Sequence, residues 1–159
     1  MMDNNCDSAY AEIEAFIRFK ANQLIQKGWT LYVTKDEKLC TLEALKAYEG
    51  LTHINVSSAA SDSGICSPEV NYLFRFYHDY LHLTMGEDFS DAGERAVAAQ
   101  HFDDGIDFGL SYGAMLALKA ETIGQLEYYQ KHGEHVKNQR AFTTTYIQKG
   151  SRYAINFPH

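Results

Sequence analysis

Residues 67–86, SPEVNYLFRFYHDYLHLTMG, open and close as a helix does. Ser67 is an N-cap residue, Pro68 suits the first helical position, and Glu69 places an acid in the first turn. Gly86 supplies the stop, so a helix is expected from the proline to about Thr84. Its polar residues fall at Asn71, Arg75, His78, Asp79 and His82. Steps of four, three and four put Asn71, Arg75, His78 and His82 on one stripe, with Asp79 beside it. A plain solvent face is painted with Lys and Glu, and this one carries neither after Glu69, while Phe74 and Leu81 border it. Histidines at i and i+4 project from adjacent turns of one face, the spacing that lets two imidazoles share a metal ion. Satisfied structural histidines and a solvent face are the alternatives.

The same grammar extends outward. Ser8 to Lys27 reads as an amphipathic helix, with Ile13, Phe16, Ile17, Ala21, Leu24 and Ile25 at helical spacing and Gly28 as its cap. Trp29–Thr34 and Thr52–Val56 read as strands, joined through a short helix that Thr41 begins and Gly50 ends. Residues 57–66 are small and polar, hence a loop. Ser90 caps a helix over roughly 91–103. A long helix is expected from near Asp107 to Lys131, closed by Gly133, and a last one from near Asn138 to Lys149. The tail to His159 reads as loosely attached. The fold class is mainly α: a helical, bundle-like single domain over 1–159 with a small two-stranded β element near the N-terminal third.

Two further helices carry chemistry on apolar stripes. Glu94 and His101 lie seven apart, with Val97 and Ala98 between them. Glu121 shares a face with Leu110, Ala114, Ala117, Leu118, Gly124, Gln125 and Tyr128, so it points into the core. A buried carboxylate needs a cation, a metal or several hydrogen bonds. A buried Arg75–Glu121 pair is one solution, and a metal shared with His78, His82 and His101 is the other. Helical bundles build metal sites from inward side chains on facing helices. Paired Glu-x-x-His motifs of the ferritin-like kind are missing.

Composition narrows the partners. The 159 residues carry a formal charge of −7, with 45% hydrophobic and 22% charged residues. An acidic chain without clustered Lys and Arg is not built to grip a nucleic-acid backbone. Three scattered cysteines, Cys6, Cys40 and Cys66, read as free thiols in a reducing compartment. The polar N-terminus is no signal peptide, and no apolar run approaches the ~20 residues a bilayer span needs, so a cytoplasmic protein is expected. Eleven tyrosines predict internal hydrogen bonds or a partly wet site, and the Tyr-rich C-terminal region serves either the core or a homo-oligomer interface.

The segments Phe74-Arg75-x-x-His78-Asp79-x-x-His82, Gly93-Glu94 with His101, and Glu121-Thr122-x-Gly124-Gln125 together resemble a helical domain of uncharacterised bacteriophage and prophage proteins. The resemblance covers roughly residues 67–130. It implies phage origin, and thereby the host cytoplasm, and brings no activity with it.

The reading that follows is a divalent-metal-dependent hydrolase. His78, His82, His101 and Glu121 are the expected ligands. Glu94 or Asp79 acts as a further ligand, as a group that orients a ligand from behind, or as general base, and Arg75 and Gln125 contact a small or polar substrate. Zn²⁺ suits such a donor set best, with Fe²⁺ or Mn²⁺ as options. A non-catalytic, acidic phage accessory protein that binds and inhibits a host protein is the alternative. An HD-type phosphohydrolase is the second alternative, built on the His78-Asp79 doublet with His53 and one of Asp103, Asp104 or Asp107.

Overall fold

The computed structural model describes residues 3–36, 41–59 and 64–159. Cys40, Met1, Met2 and residues 60–63 of the expected loop lie outside the described residues. The chain runs α1 (Asp3–Gln26), β1 (Thr30–Thr34), α2 (Leu42–Lys46), β2 (His53–Ser57), α3 (Pro68–Met85), α4 (Asp91–Phe108), α5 (Tyr112–Lys119), a π-helical turn (Ala120–Gly124), α6 (Gln125–His132), α7 (Gln139–Lys149) and α8 (Ser151–Asn156). The architecture is mainly α with a small two-stranded sheet in the N-terminal third. β1 and β2 pair in parallel, from Thr30 opposite His53 to Thr34 opposite Ser57, with α2 in the connection between them.

The main core forms where α1, α3, α4, α5 and β2 meet. Ile13, Phe16, Ile17, Ala21 and Leu24 of α1 are buried against Val70, Phe76, Tyr77 and Leu81 of α3, with Ile54 and Val56 of β2. Ile25, expected on the same stripe, is exposed, because the apolar contact ends one turn before Gly28. A second cluster of Ala120, Tyr128, Val136, Phe142, Tyr146 and Ala154 closes the C-terminal part.

The structure differs from expectation in the middle and at the end. α4 runs on to Phe108 and stops at Gly109, whose φ of 90° is a left-handed cap. Ser111 then starts α5, its side chain accepting from the Ala114 N–H while it binds both oxygens of Glu12 on α1 at 2.8 Å. The expected helix from Asp107 is therefore the end of one helix and the start of another. The tail is also anchored. Ala154 is fully buried, the His159 carbonyl accepts from the Lys137 N–H at 3.0 Å, and the His159 N–H donates to the Tyr128 hydroxyl at 3.3 Å. Cys6 is a buried free thiol, and Cys66 forms no disulfide among the described residues. Among the described residues, no helix is long and apolar enough to cross a membrane.

Candidate metal centre

α3 starts where its sequence says. The Ser67 hydroxyl accepts from the Val70 N–H, and Gly86 ends the helix with a φ of 71°. That phase sets His78 and His82 one turn apart. α4 is set by the turn before it: Asp88 accepts from the Ser90 N–H and hydroxyl, and Ser90 caps Gly93. A Cβ on Gly93 would lie 2.0 Å from the Asp88 carbonyl oxygen, so only glycine lets the turn fold down on the helix. Glu94, the next residue, is thereby held against α3.

Three ligand atoms then converge. The Nε2 atoms of His78 and His82 are 3.1 Å apart, and the two Glu94 oxygens face them, Oε2 3.4 Å from His78 and Oε1 3.5 Å from His82. A tetrahedral ion with bonds of about 2.0–2.1 Å has donor–donor edges of about 3.3 Å. His78, His82 and Glu94 form the group that could hold a metal ion among the described residues.

The far side of the His82 ring fixes its proton, while at His78 the proton lies on one or the other of two facing imidazoles. A carbonyl oxygen only accepts, so His82 Nδ1–H donates to the Glu87 carbonyl at 3.1 Å and leaves Nε2 with a lone pair in the neutral ring. His78 Nδ1 lies 3.1 Å from Nε2 of His101. With the proton on His78 Nδ1, its Nε2 is also a bare lone pair. Two lone pairs and a carboxylate aimed at one point repel each other until a cation or proton sits between them.

Without a metal, protons on the imidazoles fill that place. Burial pulls the His82 pKa down, but the Glu94 carboxylate, the Glu87 carbonyl and Asp79 outweigh it and the net shift is upward. Burial pushes Glu94 up, yet its hydrogen bonds and charge interactions with His78 and His82 bring it down to about 2. The pocket concentrates affinity for positive charge.

The remaining expected site residues take other places. His101, fully buried, lies behind His78 and between Phe74 and Tyr77, with ring centroids 5.3 and 4.6 Å away. Burial first, then the charges of His78 and His82, hold its pKa well below the usual histidine range, and its Nδ1 has no hydrogen-bond partner. Glu121 is outside the group: its oxygens accept from the Thr143 hydroxyl at 2.7 Å and Gln125 Nε2 at 3.1 Å. Gln125 is thus spent on Glu121. Arg75 Nη1 donates to the carbonyls of Ser57 and Ala59 at 2.8 and 3.0 Å, tying α3 to the end of β2. Asp79 lies beside the group, not in it, and burial pushes its carboxyl up to about 6 against the pull of His78, His82 and Arg75. His53 makes edge-to-face contacts with Tyr32 and Tyr48, and Asp104 pairs with Lys20 at 3.1 Å and accepts from Tyr77, so neither joins His78.

Open space reaches the group from more than one side. A cavity of about 260 Å³ is lined by Asn55, Arg75, His78, Asp79, Phe89 and Glu94 among others. Another of about 180 Å³ is lined by Phe74, Arg75, His78, Glu94, Glu121 and Thr122. Sequence reasoning missed Glu87 and Phe89, which brace His82 by a carbonyl and by a ring 4.7 Å away; Gly93 was the signal for that turn.

No family model, curated protein or solved structure matches this chain.

Proposed function

We propose that this protein is a divalent-metal-dependent hydrolase in which His78, His82 and Glu94 hold the ion. The observation that carries the reading is the convergence of two imidazole Nε2 atoms 3.1 Å apart with both oxygens of one carboxylate, Glu94 Oε2 lying 3.4 Å from His78 and Oε1 3.5 Å from His82. Three protein ligands leave one tetrahedral position for water, the arrangement of catalytic rather than structural zinc. Nitrogen and carboxylate donors without a thiolate suit Zn²⁺ first, and Fe²⁺ or Mn²⁺ next. A bound Zn²⁺ lowers the pKa of its water to about 7 and so supplies a nucleophile at neutral pH.

The chain's own residues do the rest. Glu87 and His101 orient the ligand rings through their Nδ1 atoms. Arg75, fixed by two carbonyls, lines both cavities that reach His78 and Glu94 and offers positive charge to a polar substrate. Elemental analysis of the purified protein tests the reading. One equivalent of metal, lost in His78→Ala and His82→Ala, is the expected result. Its absence from protein refolded with Zn²⁺ would favour the rival, an acidic binding protein whose histidines are structural.

A further inference from the structure

We propose that Glu121 is the proton-transfer group of this centre, facing His78 and Glu94 across the cavity they share and acting on a small carbonyl substrate lodged between them. The proposal rests on the metal-hydrolase reading and adds the second half of that site.

The helix carrying Glu121 is interrupted where the residue stands. Ala120–Gly124 form a π-helical turn between α5 and α6. Such turns insert one residue, cost hydrogen-bond quality and concentrate at functional sites. Here the turn is pressed onto α7: a Cβ on Gly124 would lie 2.9 Å from the Tyr146 ring, so the glycine permits the approach that brings Thr143 to Glu121.

The carboxyl group is held by neutral donors alone, the Thr143 hydroxyl and the Gln125 amide, and among the described residues no cation forms an ion pair with it. The titratable groups around it are Arg75 and His78 of α3, Glu94 of α4, Tyr10 of α1, and Cys66. Burial pushes Glu121 up to about 7, against its hydrogen bonds from Thr143 and Gln125. A group that titrates near the working pH gives and takes protons with equal ease. On its other side Glu121 lines a space of about 20 Å³ with Asn71 and Cys66, enough for one water.

In hydrolysis of a small amide, water adds its OH to the carbonyl carbon and the C–N bond breaks. The departing nitrogen needs a proton. Protonated Glu121 supplies it and regains one from the water consumed, so OH ends on carbon and H on nitrogen. The cavity of about 180 Å³ is small, which suits a short acyl group at the reacting end.

The test uses Co²⁺, whose visible bands report its ligands, and acetohydroxamate, a small carbonyl compound that binds metal and offers one acidic proton. Wild type, Glu121→Gln and Thr143→Val are each loaded with Co²⁺ and titrated with the probe from pH 5.5 to 8.5. Folding is checked by thermal melting. The expected result is unchanged Co²⁺ affinity in Glu121→Gln with probe binding weakened about tenfold or more, the value of a charge-assisted hydrogen bond. In wild type, probe affinity should rise as pH passes about 7. Thr143→Val removes a donor to the carboxylate and should move that midpoint upward. Loss of Co²⁺ in Glu121→Gln would make Glu121 a ligand and overturn the proposal, as would unaltered probe binding in both variants. Failure of wild type to bind Co²⁺ would remove the metal centre itself.

Discussion

His78 Nδ1 lies 3.1 Å from His101 Nε2, with the two rings parallel to within 5°. On the proposed function, this fully buried imidazole, kept neutral by its surroundings, is the acceptor that would leave His78 Nε2 free for the metal. Removing such a partner typically costs 10–100-fold in metal affinity. His101→Phe, which fills the space and accepts nothing, should therefore weaken Zn²⁺ binding by about that factor. His101→Gln, whose amide oxygen can accept, should recover part of the loss. Competition against a chromophoric chelator measures both, and equal affinities for wild type and His101→Phe would refute the role.

Metal affinity should also depend on pH in a stated direction. His82 binds metal only as the neutral ring, and its pKa is raised above the ordinary histidine value near 6.5, chiefly because the attraction of Glu94 overcomes burial. Protons therefore compete with the metal up to a higher pH than they would at an ordinary histidine. Zn²⁺ affinity should fall steadily as pH drops through and below that raised pKa. In Glu94→Gln the overall affinity should be lower, because a ligand is lost, and the onset of the fall should move to lower pH. Calorimetric titrations between pH 5.5 and 8 would decide it.

What the sequence made legible was whatever is written locally. Ser67, Pro68 and Gly86 bound α3 correctly, and the i, i+4 pair of His78 and His82 does converge. The third member of the group was harder to see. Glu94 and Glu121 both sit on helices with small or apolar stripes, and which one meets His78 depends on how helices cross. That crossing is set by the turn over Asp88 and Gly93 for one, and by the π-helical turn for the other. A pattern read at constant helical spacing runs straight through an inserted residue. The break at Gly109 and Ser111 was different: a stop and a start signal stood in the sequence, overshadowed by the apolar stripe resuming at Leu110.

Gly93→Ala should damage the centre without touching a ligand. Its Cβ would meet backbone, the Asp88 carbonyl at 2.0 Å, so the turn itself has to move. Overpacking of this kind costs about 1–3 kcal/mol. The displaced turn carries Glu87, whose carbonyl orients His82. Chemical denaturation should show the loss of stability, and Zn²⁺ affinity should drop with it. Ala92→Gly, one residue earlier at an exposed position, should cost only the helix propensity of about 1 kcal/mol and leave metal binding alone.

The last expectation concerns Glu121 in the metal-free protein. Its pKa, near 4.5 when unperturbed, is pushed up to about 7 by burial. Between those values the folded chain keeps a proton that the unfolded chain has released, so stability falls as pH rises across that window. Above about 7 both states are ionised at this position and the slope vanishes. Glu121→Gln carries no such term. The two proteins should therefore diverge as pH is raised from 4.5, with the Gln variant gaining on wild type until pH 7 and holding its advantage at pH 8. Urea unfolding at pH 4, 6 and 8 gives the three differences needed. A gap that does not widen with pH would mean that Glu121 is ionised throughout, paired with a cation the fold provides.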